Sequence, residues 1–309
     1  MKVEVKNLKK YFGKTKAVDD ISFSFESGHV FGFVGPNGAG KTTTLRLLAT
    51  LDEPTAGDAF IDGTSVKEEP EVVRHLVGFV PDSLPSHSDI TVHEYLDFFA
   101  RAYGMSGHKR DKAVNEIEEF TNLTGIRNKL VKALSKGMKQ RVSLGRALIH
   151  DPDVLVMDEP AAGLDPRARV EFRELVSALK DQAKAILISS HILTELTEIC
   201  NGVVIIEQGK ILETGTIDKV LAKSMPKRTV AVRPAERYED VYKALLQMPH
   251  VDAVRRAGNE IHVDLTGAED MGCDILSELI LRKFRITEFK QLRADMEDIF
   301  MKITKGEVQ

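Results

Sequence analysis

The chain has 309 residues, enough for about two domains of average size. It is 42% hydrophobic and 29% charged with a net charge of −4, the balance of an ordinary globular protein and not of a general nucleic-acid binder. Its 2 cysteines, Cys200 and Cys273, are too few for a disulfide framework and lack zinc-site spacing, and no run of about 18 apolar residues is present to span a membrane. Residues 1–6 carry charges where a leader peptide needs an apolar stretch, so no signal sequence is expected.

Residues 3–5 and 21–25 read as short strands. Residues 30–34 are nearly all apolar, which predicts a central parallel strand. A glycine-rich loop follows, then a helix over 41–51 and a hairpin over 54–66 with turns at Gly57 and Asp62-Gly63. Residues 91–149 are mostly helical, with Leu96, Phe99, Ala100 and Tyr103 on one face and Val114, Ile117 and Phe120 on another. Strand and helix then alternate: 154–157, 167–180, 185–189, 192–200, 203–207. Such alternation predicts a parallel sheet covered by helices. Residues 222–228 read as a linker, which divides the chain into 1–222 and an accessory α+β domain, 223–309. In the second part we expect strands 229–233, 251–256, 260–265 and 284–290 with helices 236–248, 271–283 and 294–303.

Three motifs carry chemistry. Gly35-Pro36-Asn37-Gly38-Ala39-Gly40-Lys41-Thr42 matches G-x-x-x-x-G-K-[ST] between a buried strand and a helix. Its glycines let backbone N–H groups curl around phosphate oxygens, and the helix N-terminus adds its positive end. Lys41 can reach the β- and γ-phosphates, and Thr42 can place a hydroxyl on Mg²⁺, with Thr43 next in the nucleotide-binding set. The strand at 154–157 ends in Asp158-Glu159, which puts Asp158 at the carboxyl edge of the sheet as a Mg²⁺ ligand. Glu159 can polarise an attacking water. Ser135 caps a helix running to about residue 149, and this helix start with Gly137 nearby is a second possible phosphate site. Taken alone, that last pattern is no more than a capped helix.

The order and spacing of these motifs resemble the ATPase subunit of an ABC transporter over about residues 1–220. The resemblance implies a RecA-like P-loop NTPase core, an antiparallel β subdomain and a helical subdomain, with ATP and Mg²⁺ bound. It implies that Phe12, or its neighbour Tyr11, stacks on adenine. Ser135 and Gly137 would contact the γ-phosphate of ATP held by a second ATPase subunit, most simply an identical copy. Asp165 lies in the dimer-crossing loop, and His191 matches the γ-phosphate-sensing histidine. Alone, His191 would read as a strand-end histidine satisfied by backbone. Two departures stand out. Pro81-Asp82 replaces the usual glutamine, and Asp82 is a candidate Mg²⁺ ligand that adds negative charge beside ATP. Lys136 and Met138 replace glycine and glutamine, and Lys136 either lends charge near the partner's phosphates or is solvated.

The resemblance further implies a motor that reaches the membrane only through a separate transmembrane subunit, placed on the cytoplasmic side. The aromatics Tyr95, Phe98 and Phe99 would sit near the groove that accepts this partner, with at least two of them in the core. Residues 292–300 resemble the tail of bacterial exporter ATPases, which implies export, while the accessory domain itself reads as a packing or dimer-stabilising module. The alternative is a soluble ATPase of the same superfamily acting on ribosomes or DNA. A single phosphate loop and the acidic charge balance weigh against it. A small-molecule kinase would leave Ser135, Gly137, Asp165 and His191 without a role.

Overall fold

The structure, a computed structural model, describes residues 1–84, 89–191, 198–217, 219–220, 228–266 and 271–292. They fall into two compact units that divide after Val220.

The first unit opens on a long antiparallel ribbon, β1 (Lys2–Phe12) and β2 (Thr15–Glu26), reversed at Gly13. These strands are 11 and 12 residues long, well beyond the apolar stretches 3–5 and 21–25, because they also pair through polar residues such as Lys9 with Asp19. With β4 (Ala56–Ile61) and β5 (Thr64–Ser65) they form a sheet in the order β2-β1-β4-β5. The second sheet contains β3 (Val30–Val34), β6 (Val77–Val80), β7 (Val154–Met157), β8 (Ala185–Ser190), β9 (Gly202–Glu207) and β10 (Lys210–Thr216). Its order is β10-β9-β3-β8-β7-β6, parallel throughout except for the β9–β10 hairpin. All four residues of β7 and all six of β8 are buried, as expected for strands covered on both faces.

Helix α1 (Lys41–Leu48) lies in the core shared by the two sheets, where Leu45 and Leu47 meet Phe23, Phe33 and Val156. Each leucine so buried stabilises the fold by about 1.5–3 kcal/mol before entropic costs. It ends three residues earlier than the sequence predicts, where Thr50 turns left-handed at φ 57°. Helix α2 (Pro70–Leu76) leads into β6, and neither it nor β10 was expected. Both are short on apolar periodicity: β10 alternates exposed with half-buried residues only.

The helical region contains α3 (Val92–Ala102), α4 (Gly107–Phe120) and α5 (Lys136–Leu148) around a separate core of Tyr95, Leu96, Val114, Leu123 and Val142. Thr91 and Glu94 start α3 with a reciprocal capping box. Of the three aromatics at its centre, Tyr95 is buried, Phe99 is partly buried and Phe98 is 61% exposed. Helix α6 (Pro166–Asp181) begins behind the Asp165 cap and buries Phe172, Val176 and Leu179.

The second unit runs β11 (Arg228–Pro234), α7 (Tyr238–Leu246), β12 (Val251–Ala257), β13 (Glu260–Leu265), α8 (Met271–Leu281), β14 (Ile286–Leu292). Its antiparallel sheet has the order β12-β13-β11-β14, the split βαβ arrangement. Val232, Ile261 and Val263 pack under Val241, Leu245 and Leu279 of the two helices. The linker expected at 222–228 lies outside the described residues save Arg228, as does most of the helix expected at 192–200 and all of that at 294–303.

Candidate functional site

Strand order builds the site. Parallel pairing places β8 between β3 and β7, so three carboxyl ends open on one edge. From β3 comes the glycine loop, from β7 come Asp158 and Glu159, and from β8 come Ser189 and His191. This is the edge where open α/β sheets bind ligands.

Residues 35–40 link β3 to α1, and the helix starts at Gly40 with φ 104° and no side-chain cap. A Cβ on Gly40 would lie 2.3 Å from the carbonyl oxygen of Ala17, so both its conformation and its surroundings demand glycine. The first-turn N–H groups of α1 therefore have no side-chain acceptor, the arrangement that suits a phosphate. Asn37 and Gly38 are exposed at the loop tip, and Pro36 is half-buried. Gly35 and Ala39 are buried beneath it.

Lys41 is only 6% exposed, and its ammonium donates to the Gly35 carbonyl at 2.7 Å and lies 3.4 Å from Oε1 of Glu159. Thr42 faces solvent on the first turn and Thr43 is half-buried. The other oxygen of Glu159, Oε2, lies 2.7 Å from Nδ1 of His191, and the His191 N–H donates to it at 3.4 Å. The glutamate thus joins the glycine loop to the end of β8. It reaches this place from a left-handed backbone, φ 46°.

Asp158 is 4% exposed, and its Oδ1 accepts from the Ser189 hydroxyl at 2.7 Å. The same hydroxyl accepts from the Glu159 N–H at 2.9 Å. Ser189 therefore orients both carboxylate residues, a role the sequence reading missed. Only its position, one residue beyond Ile188, which pairs with Met157, could have signalled it. The Asp158 carboxylate and the Thr42 hydroxyl, each at the carboxyl edge of the sheet, are hard-oxygen donors of the sort Mg²⁺ takes beside phosphate oxygens. Asp82 is exposed just beyond β6.

The two aromatic candidates differ. The Tyr11 hydroxyl donates to Asp19 at 2.6 Å, which holds the phenol above its usual pKa. Phe12 is 52% exposed, with the Lys10 ammonium 5.1 Å from its ring centre. The Ser135 hydroxyl caps α5 by accepting from the Met138 N–H at 3.3 Å, and Gly137 follows on the first turn. Asp165 caps α6 by accepting from the Ala168 N–H at 2.9 Å.

A glycine loop ending in a buried lysine, facing a strand-end Asp-Glu pair across one parallel strand, defines a P-loop NTPase. Comparison with known proteins narrows this. The ABC transporter family profile matches residues 18–162, and that of the C-terminal domain of DrrA1-3-like ATP-binding proteins matches 215–304. The Nod factor export ATP-binding protein I of Paraburkholderia xenovorans is 33% identical over 99% of this chain and 98% of its own length. The linearmycin resistance ATP-binding protein LnrL of Bacillus subtilis is 29% identical over 98% of each. A solved ATP-binding subunit of an ABC transporter superposes with TM-score 0.66 at 30% identity, covering 72% of this chain and 93% of that one. The chain belongs to the ATP-binding proteins of ABC transporters. Such subunits bind ATP and work with transmembrane components. Among the described residues no helix is long and apolar enough to cross a membrane.

Proposed function

We propose that this chain hydrolyses Mg²⁺-ATP as one of two identical subunits and so powers export through a separate membrane protein, from the cytoplasmic face. The observation that carries the reading is the convergence of Lys41, Glu159 and His191 at one sheet edge. Lys41 neutralises the β- and γ-phosphates, and the first turn of α1 cradles them. Thr42 and Asp158, with Asp82 within the same edge region, would hold Mg²⁺, which offsets charge on the phosphates. Glu159 accepts the proton of the attacking water, and His191 orients the glutamate and senses the γ-phosphate. The exposed ring of Phe12 stacks on the base. Ser135, Gly137 and Asp165 serve the site of the opposite copy. Export follows from the names of full-length relatives, a Nod factor exporter and a linearmycin-resistance protein, which share both parts of the chain.

The test is Glu159→Gln in the full chain. It retains ATP binding, loses hydrolysis by at least about 100-fold and forms an ATP-dependent dimer by light scattering. Wild-type turnover in this variant would overturn the assignment of the base. Co-purification with a multi-span membrane protein, and substrate-stimulated hydrolysis in that complex, test the partner and the direction.

A further inference from the structure

The turn between β9 and β10 reaches the phosphate loop. Only Gln208 and Gly209 separate the paired residues Glu207 and Lys210, and both have left-handed backbones, φ 48° and 75°. This is the two-residue hairpin turn whose twist matches its flanking strands and whose second position favours glycine. The central N–H groups of such a turn take no part in the hairpin's own pairing, so a buried one needs an acceptor elsewhere.

Gly209 is buried, and its N–H donates to the Ala39 carbonyl at 2.9 Å. Its own carbonyl accepts from the Asp19 N–H at 2.8 Å. The turn is thus wedged between β2 and the phosphate loop. The fit is close: a Cβ on Gly209 would lie 2.8 Å from the Lys16 carbonyl oxygen and 3.0 Å from that of Ala17. The Ala17 oxygen is the atom that also forbids a Cβ on Gly40, and such a Cβ would lie 3.6 Å from the Cα of Gly209. The Asp19 carboxylate adds a side-chain tie, with the Lys210 ammonium 3.8 Å from Oδ2.

The bond at Ala39 acts on the other side of the same peptide. In a trans peptide the C=O of one residue and the N–H of the next point opposite ways. Anchoring the Ala39 carbonyl on the hairpin therefore turns the Gly40 N–H away from it. Among the described residues no acceptor pairs with that N–H. The next carbonyl, that of Gly40, accepts from the N–H and the hydroxyl of Thr44, both at 2.9 Å. Gly40 is fixed from both sides, and its N–H remains a donor.

We propose that Gly209 is a positioning residue for the nucleotide: through Ala39 it aims the Gly40 N–H at a phosphate oxygen. This rests on the phosphate loop being the ATP site.

The test reads ¹⁵N-glycine spectra of the full chain titrated with Mg²⁺-ATP, with affinity measured by calorimetry. In the wild type the Gly209 amide is protected from exchange before nucleotide is added, and the Gly40 amide moves downfield as nucleotide binds. Gly209→Ala, pushed off Lys16 and Ala17 by its Cβ, binds Mg²⁺-ATP about tenfold more weakly, the lower end of what one hydrogen bond to a charged group contributes. Its Gly40 amide moves less. Gly63→Ala controls for backbone strain: Gly63 has φ 87° and open space around its Cβ, so the thermal midpoint falls while ATP affinity stays at the wild-type value. An unmoved Gly40 amide in ATP-saturated wild type would overturn the proposal even where Gly209→Ala does not fold, and so would wild-type affinity in a folded Gly209→Ala. A wild type that binds Mg²⁺-ATP without hydrolysing it would overturn the proposed function and leave these readings valid; one that binds no ATP would overturn both.

Discussion

Replacing Ser189 by alanine removes one oxygen and affects two residues of the site. The hydroxyl is fully buried, donates to Asp158 at 2.7 Å and accepts from the Glu159 N–H at 2.9 Å. A hydrogen bond to a charged carboxylate contributes about 1.5–3 kcal/mol, and an orphaned buried N–H costs about 1–3 kcal/mol. The two share one atom and do not simply add, so the expected loss is about 2–4 kcal/mol. In a unit of some 220 residues that lowers the thermal midpoint by about 5–10 °C. Scanning calorimetry of Ser189→Ala against wild type gives the shift, and steady-state ATPase assays below both midpoints give the rate. We expect kcat to fall together with stability, because Asp158 and Glu159 lose their common anchor. A stability change under about 0.5 kcal/mol would place the substitution among neutral surface changes and refute the bridging role.

Three other outcomes are expected. Glu159→Gln keeps nucleotide binding and loses hydrolysis, as set out above. Phe12→Ala weakens nucleotide affinity by about 1–2 kcal/mol, the size of one aromatic–base stack, while Tyr11→Phe has little effect; titration with a fluorescent nucleotide separates them. His150 supplies a pH dependence: its Nε2 donates to the Val77 carbonyl at 3.2 Å, its ring stacks on Tyr103, and Nδ1 is buried without a partner. Burial pushes its pKa down to about 4, so the unfolded chain binds the extra proton more readily. Stability is therefore full above about pH 6.5 and declines as pH falls towards 4, by about 1–2 kcal/mol after discounting for solvent near the ring. Thermal unfolding from pH 4.5 to 7.5 shows a flatter profile in His150→Asn; equal slopes would refute it.

What the sequence revealed was what local chemistry writes. The glycine loop, the all-apolar strand before Asp158 and the Ser135 cap each depend on residues within a few positions, and each lies on the element expected. The rest depends on neighbours distant in the chain. Ser189 looks like any small residue ending a buried strand until β8 is seen beside β7. Tyr11 and Phe12 are equivalent by position, and only Asp19 on the paired strand ties up one of them. Helix α2 and strand β10 lack the apolar periodicity that announces an element, and β10 is held by its pairing with β9 instead.

The placement of β8 between β3 and β7 also governs how this protein comes off the ribosome. A growing chain displays its phosphate-loop motif by residue 42 and its Asp-Glu pair by residue 159, yet the two cannot be joined until residues 185–190 emerge and insert between them. Sheet pairings of such long sequence separation form late and slowly. Fragments released before residue 185 would carry both signatures without the strand that brings them together.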